Sequence, residues 1–245
     1  MVAITLEDAS ALRQVTGEIF RNDCLDDFSI FETEFYDCAF VDCTFDGGKI
    51  GLSKFQNCRF TDCSFRDVKL LSCQFYDAEI EQRCVWSRCD LSDANLVDCD
   101  LSSNQLVACK GFMLRLENCT LSAAEIDIDL HRRVNARFNM GGMLCSRTSF
   151  FEARMKGQYL QGSTFEICDL RGADLGGCNL SSANFAGSNL NNTLLRNASL
   201  TSANLAHADI DELDFSQARS LDDLTISADQ SETLLNYFGV KVLSH

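Results

Sequence analysis

Large apolar residues recur at every fifth position along most of this chain. One run reads Phe35, Phe40, Phe45, Ile50, Phe55, Phe60, Phe65, Leu70, Phe75 and Ile80. The pattern resumes one residue late with Trp86, Leu91, Leu96, Leu101 and Leu106, followed by Leu116, Leu121 and Ile126. A third run holds Phe150, then Leu160, Phe165, Leu170, Leu175, Leu180, Phe185, Leu190, Leu195, Leu200, Leu205, Ile210 and Phe215. A small residue stands two positions before most of these, as at Ala173, Ala183, Ala198, Ala203 and Ala208.

A period of five fits neither the ~3.6 of a helix nor the ~2 of a strand. It fits a chain that turns a corner every five residues, so that four faces close a square coil of about 20 residues. On each face the large residue and the small one two before it point the same way, inward. The small one must be small because the coil is narrow inside. Coils stacked at roughly 4.8 Å, about ten of them between Val15 and Leu221, would make a rod of about 45–50 Å. The expected fold class is all-β, a right-handed quadrilateral β-helix with a short C-terminal helix. Residues 1–16 read as a lead-in and 17–222 as the β-helix, with loops at about 78–84 and 127–146. Residues 223–245 read as a helix-and-strand dimerisation segment.

The fourteen cysteines follow the same rule. Cys38, Cys43, Cys58, Cys63 and Cys73 are separated by multiples of five, and Cys84, Cys89, Cys99, Cys109 and Cys119 continue the spacing after the shift. Free cysteine behaves as a small buried hydrophobe, and here it fills the small inward slot. No C-x-x-C pair occurs, which argues against a zinc site. The chain lacks proline, as expected where every backbone N–H is needed between strands. Outward positions carry polar ladders. Asp37, Asp42, Asn57, Asp62, Asp67 and Asp77 share one phase; Asp174, Asn179, Asn184, Asn189, Asn204 and Asp209 share another. Asn and Asp in such places serve turns.

The net charge of −15 repels nucleic acid and anionic lipid. It suits a basic partner protein, or simply keeps a long β surface soluble. Neither a signal peptide nor an apolar run long enough to span a membrane is present, so a cytoplasmic location is expected. A filled rod has no catalytic pocket, and no metal spacing, nucleophile motif or phosphate loop is found. No enzymatic activity and no cofactor are therefore expected, and repeat solenoids mostly present extended binding surfaces.

Three places break the period. Between Phe75 and Trp86 one residue is extra, and Ala78–Arg83 should bulge out as a small loop or be a tolerated insertion. After Ile126 the pattern lapses until about Phe150, over a stretch rich in basic residues that forms a recognition loop or a disordered excursion. The candidate partner-binding residues are Tyr76, Asp77, Glu79, Glu81 and Arg83 in the first break. In the second they are Asp129, His131, Arg132, Arg133, Arg137 and Phe138. The third break is the C-terminus. Ser227 and Gln230 read as a capping box before a helix over about 228–238, ended by Gly239, and a short strand from Val240. Leu234, Leu235, Tyr237, Phe238, Val240 and Val242 form an apolar cluster that either caps the rod or joins two copies about a two-fold axis.

The units A-D-L-G-G at Ala173–Gly177 and A-N-F-A-G at Ala183–Gly187 resemble those of pentapeptide-repeat proteins. More narrowly, C-Q-F-Y-D at Cys73–Asp77, W-S-R at Trp86–Arg88, C-D-L-S at Cys99–Ser102 and L-L-N-Y-F-G-V-K-V at Leu234–Val242 resemble the Qnr group. That group protects bacterial DNA gyrase and topoisomerase IV from quinolones or natural gyrase poisons. The resemblance implies a dimeric rod, compared in shape and charge to DNA, whose smaller and larger loops act on the topoisomerase. It places the smaller loop at Ala78–Arg83 and the larger within Ile128–Cys145. The chain departs in having about 30 more residues before Cys73, one or two extra coils. The alternative is a pentapeptide-repeat scaffold for another protein partner.

Overall fold

The computed structural model describes residues 4–25, 28–135 and 138–241. The chain is a parallel β-solenoid with four walls per coil and a short helix at its C-terminal end. Val15, Phe20, Leu25 and Ile30 point inward from four successive walls, numbered here one to four in chain order, and Phe35 returns to wall one. Wall one then repeats as Gln14, Glu34, Lys54, Gln74, Asp100, Thr120, Ser149, Asp169, Asn189 and Asp209, each paired in parallel with the next.

Two features make five residues a turn. The residue two after most wall centres sits in the left-handed region, as in Asp37 (φ 54°), Asp62 (φ 55°) and Gly177 (φ 73°). That conformation costs a non-glycine residue about 1–2 kcal/mol. Its N–H is repaid by a carbonyl of the next coil: Asp37 N–H reaches Gln56 O at 3.0 Å and Asp62 N–H reaches Ser87 O at 2.9 Å. Asp and Asn tolerate the left-handed region better than most residues, hence the first polar ladder. The second ladder works differently. Asp174, Asn179 and Asn184 each accept the backbone N–H two residues on, at 2.9–3.2 Å.

Inside, like stacks on like. Phe20, Phe40, Phe60 and Trp86 form one column with ring centroids 5.1, 4.8 and 4.2 Å apart. Phe35, Phe55 and Phe75 form another at 4.9 and 5.0 Å. The inward cysteines are free thiols, and several donate S–H to a carbonyl of the coil below, as Cys63 does to Phe40 O at 3.3 Å. Where Gly111 occupies a wall centre, Ile128 and Leu130 fill the space. A Cβ on it would come within 2.5 Å of Ile128.

Both internal breaks differ from the expectation. Coils normally repeat after 20 residues, as between Asp37 and Asn57; Asp62 and Arg88 stack 26 apart. The first insertion is thus six residues, not one, and Ile80 is no wall residue but 57% exposed. The second insertion is shorter at both ends than 127–146. Ile128 and Leu130 stay in the core, as do Met143 and Cys145. Only His131–Gly141 leaves the wall, and coils on either side stack 29 apart. Met155, passed over in the sequence pattern, is fully buried as a wall centre.

The ends are closed by different means. A helix at Leu6–Ser10, unforeseen in the sequence, opens with a Thr5–Asp8 capping box and buries Leu6 and Ala9 on the first coil. At the other end Ser227 and Gln230 do form a capping box, but it encloses a 3-10 turn at Ala228–Gln230 before the α-helix Ser231–Tyr237. Buried Gln230 donates its amide to Leu205 O at 2.8 Å and Ala208 O at 2.6 Å. Gly239 (φ 76°) follows. Val240 and Lys241 are not in a strand, and the Val240 N–H bonds back to Leu235 O at 2.9 Å; Val242 and Leu243 lie outside the described residues. Among the described residues no helix is long and apolar enough to cross a membrane.

Candidate functional site

The rod's inner space is filled, so the features that stand out are the two excursions and the C-terminal surface. The first excursion is a two-stranded antiparallel hairpin, Tyr76–Asp77 against Gln82–Arg83. Cys84 N–H to Phe75 O (3.2 Å) closes its base. Asp77 holds it in shape. One carboxylate oxygen accepts from Glu79 N–H at 2.9 Å, and the other from the Gln56 amide at 2.6 Å. Glu79, Ile80, Glu81 and Arg83 are exposed, while Tyr76 is half-buried. The tip thus offers two carboxylates and an isoleucine, with the exposed Arg83 in the rung at the base.

The second excursion is a longer hairpin, with His131 opposite Gly141, Arg132 opposite Met140, Arg133 opposite Asn139 and Asn135 opposite Phe138. Arg133 and Phe138 belong to its backbone ladder, and Arg137 lies outside the described residues. Asp129 accepts His131 N–H at 3.1 Å. The His131 ring is wedged at the base, edge-on to Tyr159 at 4.6 Å. Its Nε2 lies 3.1 Å from Gln161 O. A carbonyl only accepts, so Nε2 carries the proton and the buried Nδ1 is left without a partner. The ring is thus tied to the base of the hairpin by Tyr159 and Gln161. Arg132 folds back over the Phe112 ring at 4.2 Å and reaches Asp93 at 3.8 Å. Gly141 has no room for a side chain: a Cβ would fall 2.2 Å from Leu130 O. None of these clasps (Gln56, Tyr159, Phe112) was identified from the sequence, because each partner lies a coil or more away.

The first hairpin leaves between walls one and two, the second between walls three and four. These are diagonally opposite edges of the square, two coils apart along the axis. They do not form one composite loop surface.

At the C-terminus, Leu234 and Tyr237 face the rod. The Tyr237 ring meets Phe215 at 5.7 Å and its hydroxyl donates to Asp214 at 2.7 Å. Hydrogen bonds from Ser216, Gln217 and Tyr237 hold the Asp214 carboxyl well below the usual carboxylate range. The helix's other side is bare: Leu235, Phe238 and Val240 are 38, 58 and 49% exposed. Of the six predicted interface residues, Leu234 and Tyr237 pack against the chain, these three are exposed, and Val242 lies outside the described residues.

A four-walled parallel solenoid on a five-residue period, with a left-handed residue at most corners, defines a class. Residues 30–79 match the family described as Pentapeptide repeats (9 copies), and residues 148–185 and 178–217 match Pentapeptide repeats (8 copies). The chain is a pentapeptide-repeat protein, and its fold is like that of QnrB1. Full-length QnrB1, a plasmid-mediated fluoroquinolone resistance protein, is 20% identical with a TM-score of 0.74, over 93% of this chain and 100% of that one. A trypsin-treated single-substitution variant of QnrB1 gives 22% identity and 0.71, over 90% and 97%. HetL, a pentapeptide-repeat protein involved in heterocyst differentiation regulation in Nostoc sp. strain PCC 7120, gives 17% and 0.56, over 86% of both. At these identities the likeness is one of fold. No curated protein matches the sequence.

Proposed function

We propose that this protein binds a bacterial type II topoisomerase, DNA gyrase or topoisomerase IV, and shields it from a quinolone or a natural gyrase poison. The observation that carries this reading is a pair of hairpins on an otherwise regular acidic rod whose fold spans the whole of a fluoroquinolone-resistance protein. The contact residues would be Glu79, Glu81 and Arg83 on the first hairpin and Arg132, Arg133, Arg137 and Phe138 on the second. Tyr76, Asp77, Asp129 and His131 would set their positions. The protein would act in the cytoplasm as a dimer, through the bare side of the C-terminal helix at Leu235, Phe238 and Val240. A scaffold role, as HetL's part in regulation exemplifies, is the second reading, favoured by the same filled rod. Gyrase supercoiling with a quinolone present tests the first. The protein should restore supercoiling, and removing Ala78–Glu81 or Arg132–Met140 should abolish rescue while the rod still melts cooperatively. A lack of rescue for both topoisomerases with several poisons would leave the scaffold reading.

A further inference from the structure

Wall four differs from the other walls in charge. Its outward column runs from Ser29 through Lys49, Lys69, Asn95 and Arg115 to Leu144 without a carboxylate. The matching columns hold Glu34 and Asp100 on wall one, Glu125 and Asp174 on wall two, and Asp90 and Asp129 on wall three. Lys49 and Lys69 are direct register partners, an arrangement of like charges that destabilises a sheet. Among the described residues Lys49, Lys69 and Arg115 form no ion pair, although acidic side chains outnumber basic ones 36 to 21. Beside this cationic stripe runs an apolar one. Phe31 is 45% exposed and Leu52, at the adjoining corner, 58%; Leu71 and Val97 are half-buried, and the column ends at Glu117, whose charge is met by Arg147. The Phe31 ring covers Gly51, where a Cβ would lie 2.4 Å from it.

We infer that wall four is a docking surface for an acidic amphipathic helix of a partner protein. Charge complementarity selects the sign, and the paired stripes select an amphipathic ligand. A helix rises about 5.4 Å per turn against about 4.8 Å per coil. Laid along the rod, it sets one turn on each coil, carboxylates over Lys49, Lys69 and Arg115 and apolar side chains over Phe31, Leu52 and Leu71. The three coil steps from Lys49 to Arg115 take about ten helical residues. Carboxylates at the corners, Glu32 and Asp98 on one edge and Asp67 and Asp93 on the other, together with the net charge of −15, turn away extended phosphate surfaces. This surface does not depend on the topoisomerase reading.

The test uses the full chain and a fluorescein-labelled synthetic helix of about 14 residues, with leucine on one face and glutamate on the other, followed by anisotropy at about 150 mM salt. A helix with lysine replacing glutamate, a short DNA duplex and phosphatidylglycerol vesicles are the comparisons. The glutamate helix should bind saturably. K49E/K69E should weaken it about tenfold and improve binding of the lysine helix. L52S should weaken the glutamate helix with little change in salt dependence. All three positions point outward, and circular dichroism checks the fold; K49Q/K69Q serves if the reversal unfolds the wall. The inference is overturned if the glutamate helix does not bind, if it binds wild type and the lysine variants equally, or if the duplex or vesicles occupy the wall through Lys49 and Lys69 instead.

Discussion

The coils before Trp86 and those after Phe150 share one backbone and differ in almost everything that fills it. The first region stacks phenylalanine on phenylalanine and sets cysteine in the small slot. It forms three-residue strands paired coil to coil. The second stacks mostly leucine, sets alanine or serine more often than cysteine in the small slot, with Cys168 and Cys178 as exceptions, and beyond Glu166 keeps only isolated bridges between coils. Its corners use glycine more often, at Gly157, Gly162, Gly172, Gly177 and Gly187, where the first uses mainly Asp and Asn, and many of its walls begin with an Asn or Asp that caps the turn. The geometry is thus set by what the two regions share: a left-handed corner residue, a hydrogen bond to the next coil, and one large and one small inward side chain per wall. Filling is exchangeable within those limits.

Substitutions break or sharpen this contrast. The largest loss is expected for Phe60→Ala, which empties the slot between Phe40 and Trp86 and should cost about 3–5 kcal/mol in urea unfolding. Leu175→Ala, in the second region, removes a smaller buried side chain and should cost about 2–4 kcal/mol. Asn104→Ala leaves the buried Trp86 indole N–H (3.0 Å to Asn104) unpaired and takes one of two donors from Phe75 O, which keeps Cys84 N–H, for about 2 kcal/mol. Cys89→Ala puts the second region's filler into the first and should cost only about 1 kcal/mol; a loss as large as that of Phe60→Ala would mean the fillings are not exchangeable.

The smallest effect is confined to the C-terminal end. The Asp214 carboxyl is depressed in the folded chain. Its contribution is therefore complete above the ordinary carboxylate pKa and lost as pH falls below it. Acidification from neutral pH should loosen the Tyr237 contact only once the pH drops beneath that range, and Asp214→Asn should remove the pH dependence. Tyr237 resonances followed by NMR report it.

Most of the fold was legible because a five-residue period is written directly in side-chain size. Phe40, Phe60 and Leu175 are all fully or almost fully buried, as their spacing demanded. The same period hid the size of the breaks. An insertion of six shifts the phase of a five-residue pattern by one, so Ile80 could pose as a wall residue. An insertion of nine is two units short by one, which blurred the edges of the second hairpin. The terminal helix Leu6–Ser10 was missed because it is too short to show a hydrophobic period. The hairpins were legible as breaks, but the clasps that shape them join residues distant in sequence, as Arg132 does Phe112 and Asp93.

A parallel solenoid ends in an unpaired edge that another chain could extend indefinitely. Gln230 spends both hydrogens of its side-chain amide on the last carbonyls, Leu205 O and Ala208 O, in the place a further coil would have taken. At that corner the glutamine leaves no free carbonyl for a further coil or a foreign strand to pair with.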